Sequence, residues 1–140
     1  MTSTKALWDH QKRGVQFAKE KAKQGVGIGL FFEQGTGKTR TALEILQDRY
    51  RESGAIKPTL ILCPPVVVSN WRSEFKAYTD IPERKVITLT GPQVDRVAKF
   101  EAAIKFDPNL IAITNYEALL MDRLFNLLNR WMPELIVADE

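Results

Sequence analysis

Hydrophobic positions along the chain form short apolar runs that alternate with segments of helical periodicity. The apolar runs predict buried strands at 28–32, 59–63, 86–89, 110–114 and 135–138. The segments between them place apolar residues every three or four positions, which predicts helices at 7–23, 38–51, 66–78, 93–106 and 117–131. Short, wholly apolar strands that alternate with helices are typical of a parallel sheet covered on both faces. We therefore expect a three-layer α/β domain over residues 1–140.

Composition narrows the class of protein without identifying it. Hydrophobic residues make up 44% of the chain and charged residues 26%, and no apolar run approaches the roughly 20 residues that a membrane span needs. With one cysteine, Cys63, and one histidine, His10, neither a disulfide framework nor a zinc site is expected. These features favour a cytoplasmic or other reducing intracellular compartment and no membrane partner. The net charge of +3 is compatible with a phosphate-backbone partner.

A glycine-bearing loop between the first strand and the next helix is the clearest chemical signal. Its small residues allow backbone N–H groups to surround a phosphate, and the helix that follows directs its positive end at the same place. Lys38 is expected to reach the β and γ phosphates, and the Thr39 hydroxyl to bind Mg²⁺. The alternative is a glycine turn that merely begins a helix. The predicted nucleotide-binding residues are Glu33, Gln34, Gly35, Thr36, Gly37, Lys38, Thr39 and Arg40.

The loop departs from the full G-x-x-x-x-G-K-[ST] pattern because Phe32 stands where the first glycine belongs. In this form it resembles motif I of superfamily-two helicases, and most of all the Swi/Snf-type translocases. Further segments follow in that family's order: Leu7 to Gln11, Leu62 to Pro64 with Asn70, Trp71 and Glu74, Ile113 to Glu117, and Val137 to Glu140. The resemblance implies a RecA-like P-loop NTPase lobe, with the sheet incomplete at the C-terminal end of the chain.

The resemblance also implies roles in ATP binding and hydrolysis. Gln11 would bind the adenine edge, although a structural role as a helix cap is the alternative. Asp139 would hold Mg²⁺, and Glu140 would orient and deprotonate the attacking water. A charged chain end without such a role is the alternative for this acidic pair. Lys38 and Glu140 are thus the candidate catalytic residues, with ATP and Mg²⁺ as cofactors.

Polar residues near the carboxyl ends of the strands are candidates for nucleic-acid contact. Ligands approach an open α/β sheet from that edge, and the family uses these segments to hold a nucleic-acid backbone. The candidates are Pro64, Ser69, Asn70, Thr114 and Asn115. Trp71 and Phe75 are expected only to pack their helix on the sheet, and Cys63 to be a buried small residue.

The function implied is an ATPase lobe that moves along double-stranded DNA together with a second RecA-like lobe. A nucleotide- or DNA-binding module without turnover, and the motor of a restriction-type enzyme, are the alternatives. In related ATPases a further strand separates the phosphate-loop strand from the acidic strand. We therefore expect a gap in the sheet between 28–32 and 135–138, and poor stability of this piece alone.

Overall fold

The structure is a computed structural model that describes residues 28–32 and 38–139, with side chains from residue 42 onward. Its strands are β1 (Ile28–Phe32), β2 (Thr59–Cys63), β3 (Val86–Leu89), β4 (Ile111–Asn115) and β5 (Leu135–Asp139). Its α-helices are α1 (Lys38–Ser53), α2 (Val68–Tyr78), α3 (Gln93–Phe106) and α4 (Asp122–Trp131). Short 3₁₀ turns occupy Pro65–Val67, Glu83–Lys85 and Tyr116–Leu120. The helix predicted at 7–23 lies outside the described residues.

All five strands form one sheet in the order β1-β5-β2-β4-β3, and every pair is parallel. Phe32 is the register partner of Asp139, and Cys63 is the partner of Asn115. The carboxyl ends of the strands therefore meet along one edge, which we call the carboxyl edge. The opposite edge, where the strands begin, is the amino edge.

Side chains alternate across the sheet and build two apolar layers. Helices α1 and α2 cover one face, where Leu43, Trp71 and Phe75 pack against Ile61 and Val137. Helices α3 and α4 cover the other face, where Phe100 and Leu128 pack against Leu60, Ala112 and Ile136. The strands are buried from both sides, which explains why their sequences read as continuous apolar runs. The predicted three-layer α/β architecture is confirmed.

Local sequence accounts for the helix ends. Helix α1 ends before Gly54, whose φ of +70° is the left-handed conformation that glycine adopts without a Cβ clash. Helix α4 ends at Met132, which also adopts a left-handed conformation, and Pro133 follows. Pro92 precedes α3, where its missing N–H costs no helical hydrogen bond. Among the described residues, none of the helices has the length and apolar character to cross a membrane.

The expected gap between the phosphate-loop strand and the acidic strand is absent. β1 pairs directly with β5 from Ile28 opposite Leu135 to Phe32 opposite Asp139. Direct pairing lets the two strands satisfy each other's backbone N–H and C=O groups, which a gap would leave to water. The prediction of a gap was therefore wrong, and the prediction of poor stability that followed from it loses that support.

The helix predicted at 117–131 is shorter than expected. Residues Tyr116–Leu120 form a 3₁₀ turn, and Met121 has an extended backbone before α4 begins at Asp122. This break changes which side chains face the core. Leu120 is 44% exposed, whereas Leu124, Leu127 and Leu128 are buried. The helical spacing of Leu120, Leu124 and Leu128 predicts one apolar stripe, and this prediction is wrong at Leu120 and confirmed at Leu124 and Leu128. The strand predicted at 110–114 runs one residue later, as Ile111–Asn115.

Candidate nucleotide and nucleic-acid site

The strand predicted before the phosphate loop and the helix predicted after it are both present. β1 ends at Phe32 on the carboxyl edge, and α1 begins at Lys38. Lys38, Thr39 and Arg40 therefore form the first turn of a 16-residue helix that contains no acidic residue in that turn. The partial positive charge of a helix N-terminus favours an anion at this position. The predicted residues Gln11, Glu33, Gln34, Gly35, Thr36, Gly37 and Glu140 lie outside the described residues.

Asp139 ends β5 at the same edge as the phosphate loop. Its register partner Phe32 is the last residue before that loop, so the backbones of the acidic strand and the phosphate-loop strand end side by side. Asp139 is only 6% exposed. Burial raises the pKa of its carboxyl group above the ordinary value, and a hydrogen bond from Trp71 opposes this shift in part.

Two aromatic side chains hold Asp139. The indole Nε1 of Trp71, from α2, donates a hydrogen bond to Asp139 Oδ2 at 3.0 Å. The hydroxyl group of Tyr116, just beyond β4, donates to the main-chain oxygen of Asp139 at 2.8 Å. Both aromatic residues are buried. We call Asp139, Trp71 and Tyr116 the aspartate site.

The donor atoms of this region suit magnesium bound to a nucleotide. Among the residues that the structure describes, no three His, Cys, Asp or Glu side chains are grouped so that they could hold a metal ion. Mg²⁺ is typically held by one or two carboxylates plus substrate phosphates rather than by a full cage of protein ligands. A single carboxylate at Asp139, beside the phosphate loop, has the chemistry that such a partial site requires. When bound, the ion would neutralise phosphate charge.

A second polar group, buried on the other face of the sheet, was not predicted from the sequence. Arg96, on α3, is 4% exposed and donates from Nη1 to Thr114 Oγ1 at 3.1 Å and to Asn115 Oδ1 at 2.9 Å. Its Nε donates to the main-chain oxygen of Gly91 at 2.6 Å. Thr114 Oγ1 in turn donates to the main-chain oxygen of Leu89 at 2.8 Å. We call Arg96, Gly91, Thr114 and Asn115 the arginine cluster.

Burial lowers the pKa of Arg96, and Glu117 opposes this shift. An arginine side chain nevertheless stays protonated in proteins, so the cluster contains a permanent buried positive charge. A signal for this residue was present in the sequence. Arg96 precedes Val97 by one residue and Phe100 by four, which places it beside the apolar stripe of α3.

The predicted nucleic-acid residues fall into two groups. Ser69 and Asn70 are exposed in the first turn of α2, whereas Pro64 is buried at the end of β2. Thr114 has no exposed surface, and Asn115 is 6% exposed. The side chains of Thr114 and Asn115 are bonded to Arg96, so in this structure they fix the shape of the carboxyl edge. Direct contact of the five residues with nucleic acid stays a prediction.

Cys63 lies between the two polar groups, at the end of β2. Its side chain is buried and its Sγ lies 3.8 Å from the main-chain oxygen of Thr114. Burial, and secondarily the charge of Asp139, raise the pKa of this thiol to about 12. A thiol with so high a pKa is almost entirely uncharged at neutral pH and is a poor nucleophile. Its interpretation as a small buried residue agrees with this environment.

Comparison with known proteins identifies the family to which this fold belongs. Residues 10–140 match the family described as the SNF2-related domain. This chain therefore belongs to the SNF2-related domain family, and the resemblance to Swi/Snf-type proteins drawn from the phosphate loop is confirmed.

Individual relatives match most of this chain but only a small part of their own length. A zebrafish protein named chromodomain-helicase-DNA-binding protein 1-like is 33% identical over 138 residues, covering 96% of this chain and 13% of the relative. A Mycoplasma genitalium protein named an uncharacterized ATP-dependent helicase is 28% identical and covers 83% of this chain and 11% of the relative. The human DNA repair and recombination protein RAD54B is 31% identical, covering 96% of this chain and 15% of the relative.

Proposed function

We propose that this chain is the ATP-binding lobe of a nucleic-acid-dependent ATPase that couples ATP hydrolysis to movement along double-stranded DNA. The observation that carries the proposal is the pairing of β1 with β5. This pairing puts Asp139 opposite Phe32, so that a carboxylate lies beside the end of the strand that leads into the predicted phosphate loop. The names of the relatives, which include an ATP-dependent helicase and a DNA repair protein, support the choice of ATP and DNA.

Each residue would act at a stated part of the nucleotide. Gln11 would bind the adenine, and the loop from Glu33 to Gly37 would bind the phosphates together with Lys38 and Arg40. Thr39 and Asp139 would hold Mg²⁺. Glu140 would orient the attacking water and accept its proton. A second lobe, outside this chain, would close over the nucleotide and supply an arginine to the transition state.

DNA would bind along the carboxyl edge. Ser69 and Asn70 offer an exposed hydroxyl and an exposed amide there, which can donate to phosphate oxygens. Contacts of this kind carry no sequence information, so the proposed DNA binding is not sequence-specific. Affinity for duplex DNA would fall steeply with salt, because phosphate contacts release counterions.

Steady-state ATP hydrolysis by the full-length protein tests the proposal. We expect turnover that duplex DNA stimulates, and its loss in Lys38→Ala by several orders of magnitude. Lys57→Ala is the matched control, since Lys57 is an exposed lysine next to β2 at the amino edge. Stimulation should weaken as salt is raised. The proposal is wrong if no duplex DNA changes the rate, or if Lys38→Ala hydrolyses ATP as fast as the unchanged protein.

A further inference from the structure

The hydrogen bond between Trp71 and Asp139 joins two elements that are distant in the chain. Trp71 is in the first turn of α2, and Asp139 is the last residue of β5, yet the indole Nε1 lies 3.0 Å from Oδ2. Trp71 is 1% exposed and Asp139 is 6% exposed. In such an environment a donor to a carboxylate fixes the orientation of that carboxylate strongly. The indole binds Oδ2, which leaves Oδ1 as the oxygen that can bind a further group.

Packing alone does not require this hydrogen bond. Phe75, one helical turn after Trp71, is equally buried and contacts the same apolar layer without any polar atom. The two rings lie 6.3 Å apart and are tilted by 38°. Phe75 shows that an aromatic ring packs in this layer without a polar atom, so the N–H group of Trp71 has a role in addition to packing.

The same turn of α2 also has an exposed side. Ser69 and Asn70 directly precede Trp71 and face solvent at the carboxyl edge. One helical turn thus presents two polar side chains to the outside and one indole to the buried carboxylate. Because a helix moves as a rigid element, a displacement of its first turn at Asn70 also displaces the indole.

We infer that Trp71 is a positioning residue that orients the Asp139 carboxylate and couples it to nucleic-acid contact at Ser69 and Asn70. The inference rests on the proposed function, since it assumes that Asp139 serves the nucleotide and that the start of α2 meets DNA. Tyr116 supports the same carboxylate by holding the main-chain oxygen of Asp139. DNA contact at α2 thereby changes how well Asp139 is aligned beside the phosphate loop.

Removal of the indole N–H in the full-length protein is the first test. Trp71→Phe keeps an aromatic ring and deletes the donor. A hydrogen bond to a charged group is strong enough that its loss should lower kcat in the presence of DNA, and raise the Mg²⁺ concentration for half-maximal rate, each by about tenfold. The KM for ATP should change much less, because the loop and Lys38 remain.

Trp131→Phe is the matched control. Trp131 also donates from its indole Nε1, but to the main-chain oxygen of Pro108, and its ring packs edge-on against Phe100 on the other face of the sheet. This variant loses an indole hydrogen bond of similar length without touching the aspartate site. We expect its kcat, its Mg²⁺ requirement and its stimulation by DNA to match the unchanged protein.

Hydrogen–deuterium exchange gives a measurement that does not depend on catalysis. Duplex DNA, added without nucleotide, should slow exchange in the peptide that covers 135–139 in the unchanged protein and in Trp131→Phe. The effect should be lost in Trp71→Phe. If Trp71→Phe does not fold, Tyr116→Phe replaces it. This change deletes only the hydroxyl that donates to Asp139, and it should raise the Mg²⁺ requirement by about fivefold.

The outcomes distinguish failure of the proposed function from failure of the positioning role of Trp71. If the unchanged protein shows no stimulation by DNA, the proposed function fails. If stimulation is present but Trp71→Phe retains the normal kcat, Mg²⁺ requirement and DNA effect on exchange, the proposed function stands and the positioning role of Trp71 is refuted. If Tyr116→Phe, used in its place, behaves like the unchanged protein, the claim that DNA contact acts through the alignment of Asp139 is refuted. Loss of the DNA effect in Trp71→Phe alone supports the inference.

Discussion

The aspartate site and the arginine cluster lie at the same edge of one sheet, on opposite faces. They differ in how many hydrogen bonds the buried charged side chain makes. Arg96 makes three hydrogen bonds, to Gly91, Thr114 and Asn115. Within the part of the chain that the structure describes, the Asp139 carboxylate accepts one side-chain hydrogen bond, from Trp71, and burial raises its pKa. Three hydrogen bonds thus offset the cost of burying the Arg96 charge, whereas fewer hydrogen bonds offset the cost of burying the Asp139 charge.

The hydrogen bonds of a buried charged residue indicate whether its role is structural or is to bind a ligand. A charge whose hydrogen-bonding capacity is met internally fixes the local shape of the fold. A charge that is buried at a cost, and oriented by a donor on one oxygen only, suits a site at which a cation arrives later. The prediction from sequence assigned a binding role to Thr114 and Asn115, yet their side chains bond the arginine. The arginine cluster therefore fixes the shape of its face, whereas ligand binding at the aspartate site remains the proposal to be tested.

The largest effect is expected from Asp139→Asn in the full-length protein. Hydrolysis should fall by roughly a thousandfold, since the proposed function makes this carboxylate a charged ligand of Mg²⁺. The free energy of unfolding should stay the same or rise, because a neutral amide is less costly to bury than a carboxylate and can still accept from Trp71. Steady-state kinetics and thermal unfolding measure the two quantities. Asp48→Asn, at an exposed aspartate of α1, is the control. A large loss of stability in Asp139→Asn would contradict the comparison.

Arg96→Met, in contrast to Asp139→Asn, should lower the free energy of unfolding. The acceptors at Gly91 and Asn115 lose their partner inside the fold, which should cost about 2–4 kcal/mol of stability. Denaturant unfolding measures this loss. The exposed Arg130, changed to Met, is the matched control and should unfold nearly as the unchanged protein does. If Arg96→Met unfolds like the control, the arginine cluster does not stabilise this edge.

Cys63 reports on the burial of the strand end between the two polar groups. With a pKa of about 12, only about 10⁻⁴ of this thiol is ionised at pH 8. We expect native protein to resist alkylation at Cys63, measured by mass spectrometry of the peptide that contains it, and unfolded protein to react readily. In Asp139→Asn the rate should rise only slightly, because burial is the main cause of the shift. Rapid labelling of the native protein would show that this end of β2 is open.

The smallest effect is expected at the amino edge, far from both groups. There Lys85 Nζ donates to Asp107, and this bond, together with the Asn109 N–H, lowers the pKa of the partly buried Asp107 carboxyl. A lowered pKa gives stability that is present above the ordinary value of 3.8 and is lost as the pH falls through the folded-state value. The stability difference between the unchanged protein and Asp107→Asn should therefore shrink from pH 6 to pH 3. Thermal unfolding across that range measures it, and a difference independent of pH would refute the assignment.

Patterns local in sequence predicted most of the fold. All five strands and the helix at 93–106 lie where apolar runs and helical spacing put them, because these signals depend on near neighbours. The break at Met121 was missed because it depends on tertiary contacts. Tyr116 turns into the core and reaches Asp139, and the 3₁₀ turn that follows is incompatible with a helix that begins at 117.

The sequence predicted which residues belong to the candidate site, but not which of them hydrogen-bond to each other. The acidic strand and the phosphate loop could be placed at one edge, because parallel strands share the direction in which they end. The pairing of Trp71 with Asp139 joins residues 68 positions apart, and nothing near either residue in the sequence indicates it. Arg96 was missed although it lies beside the apolar stripe of its helix. A charged residue on an amphipathic helix is expected to face solvent, and only its acceptors at Gly91, Thr114 and Asn115 explain its burial.

Side chains alternate between the two faces of the sheet along β5. The register of this strand therefore determines which face carries the Asp139 carboxylate. Leu135, Val137 and Asp139 face α1 and α2, whereas Ile136 faces α3 and α4. Sliding this strand by one residue would exchange the two sets, aim Asp139 at the layer that contains Arg96, and offer a methyl group to the indole. The register of β5 therefore decides whether the carboxylate of Asp139 meets the indole of Trp71.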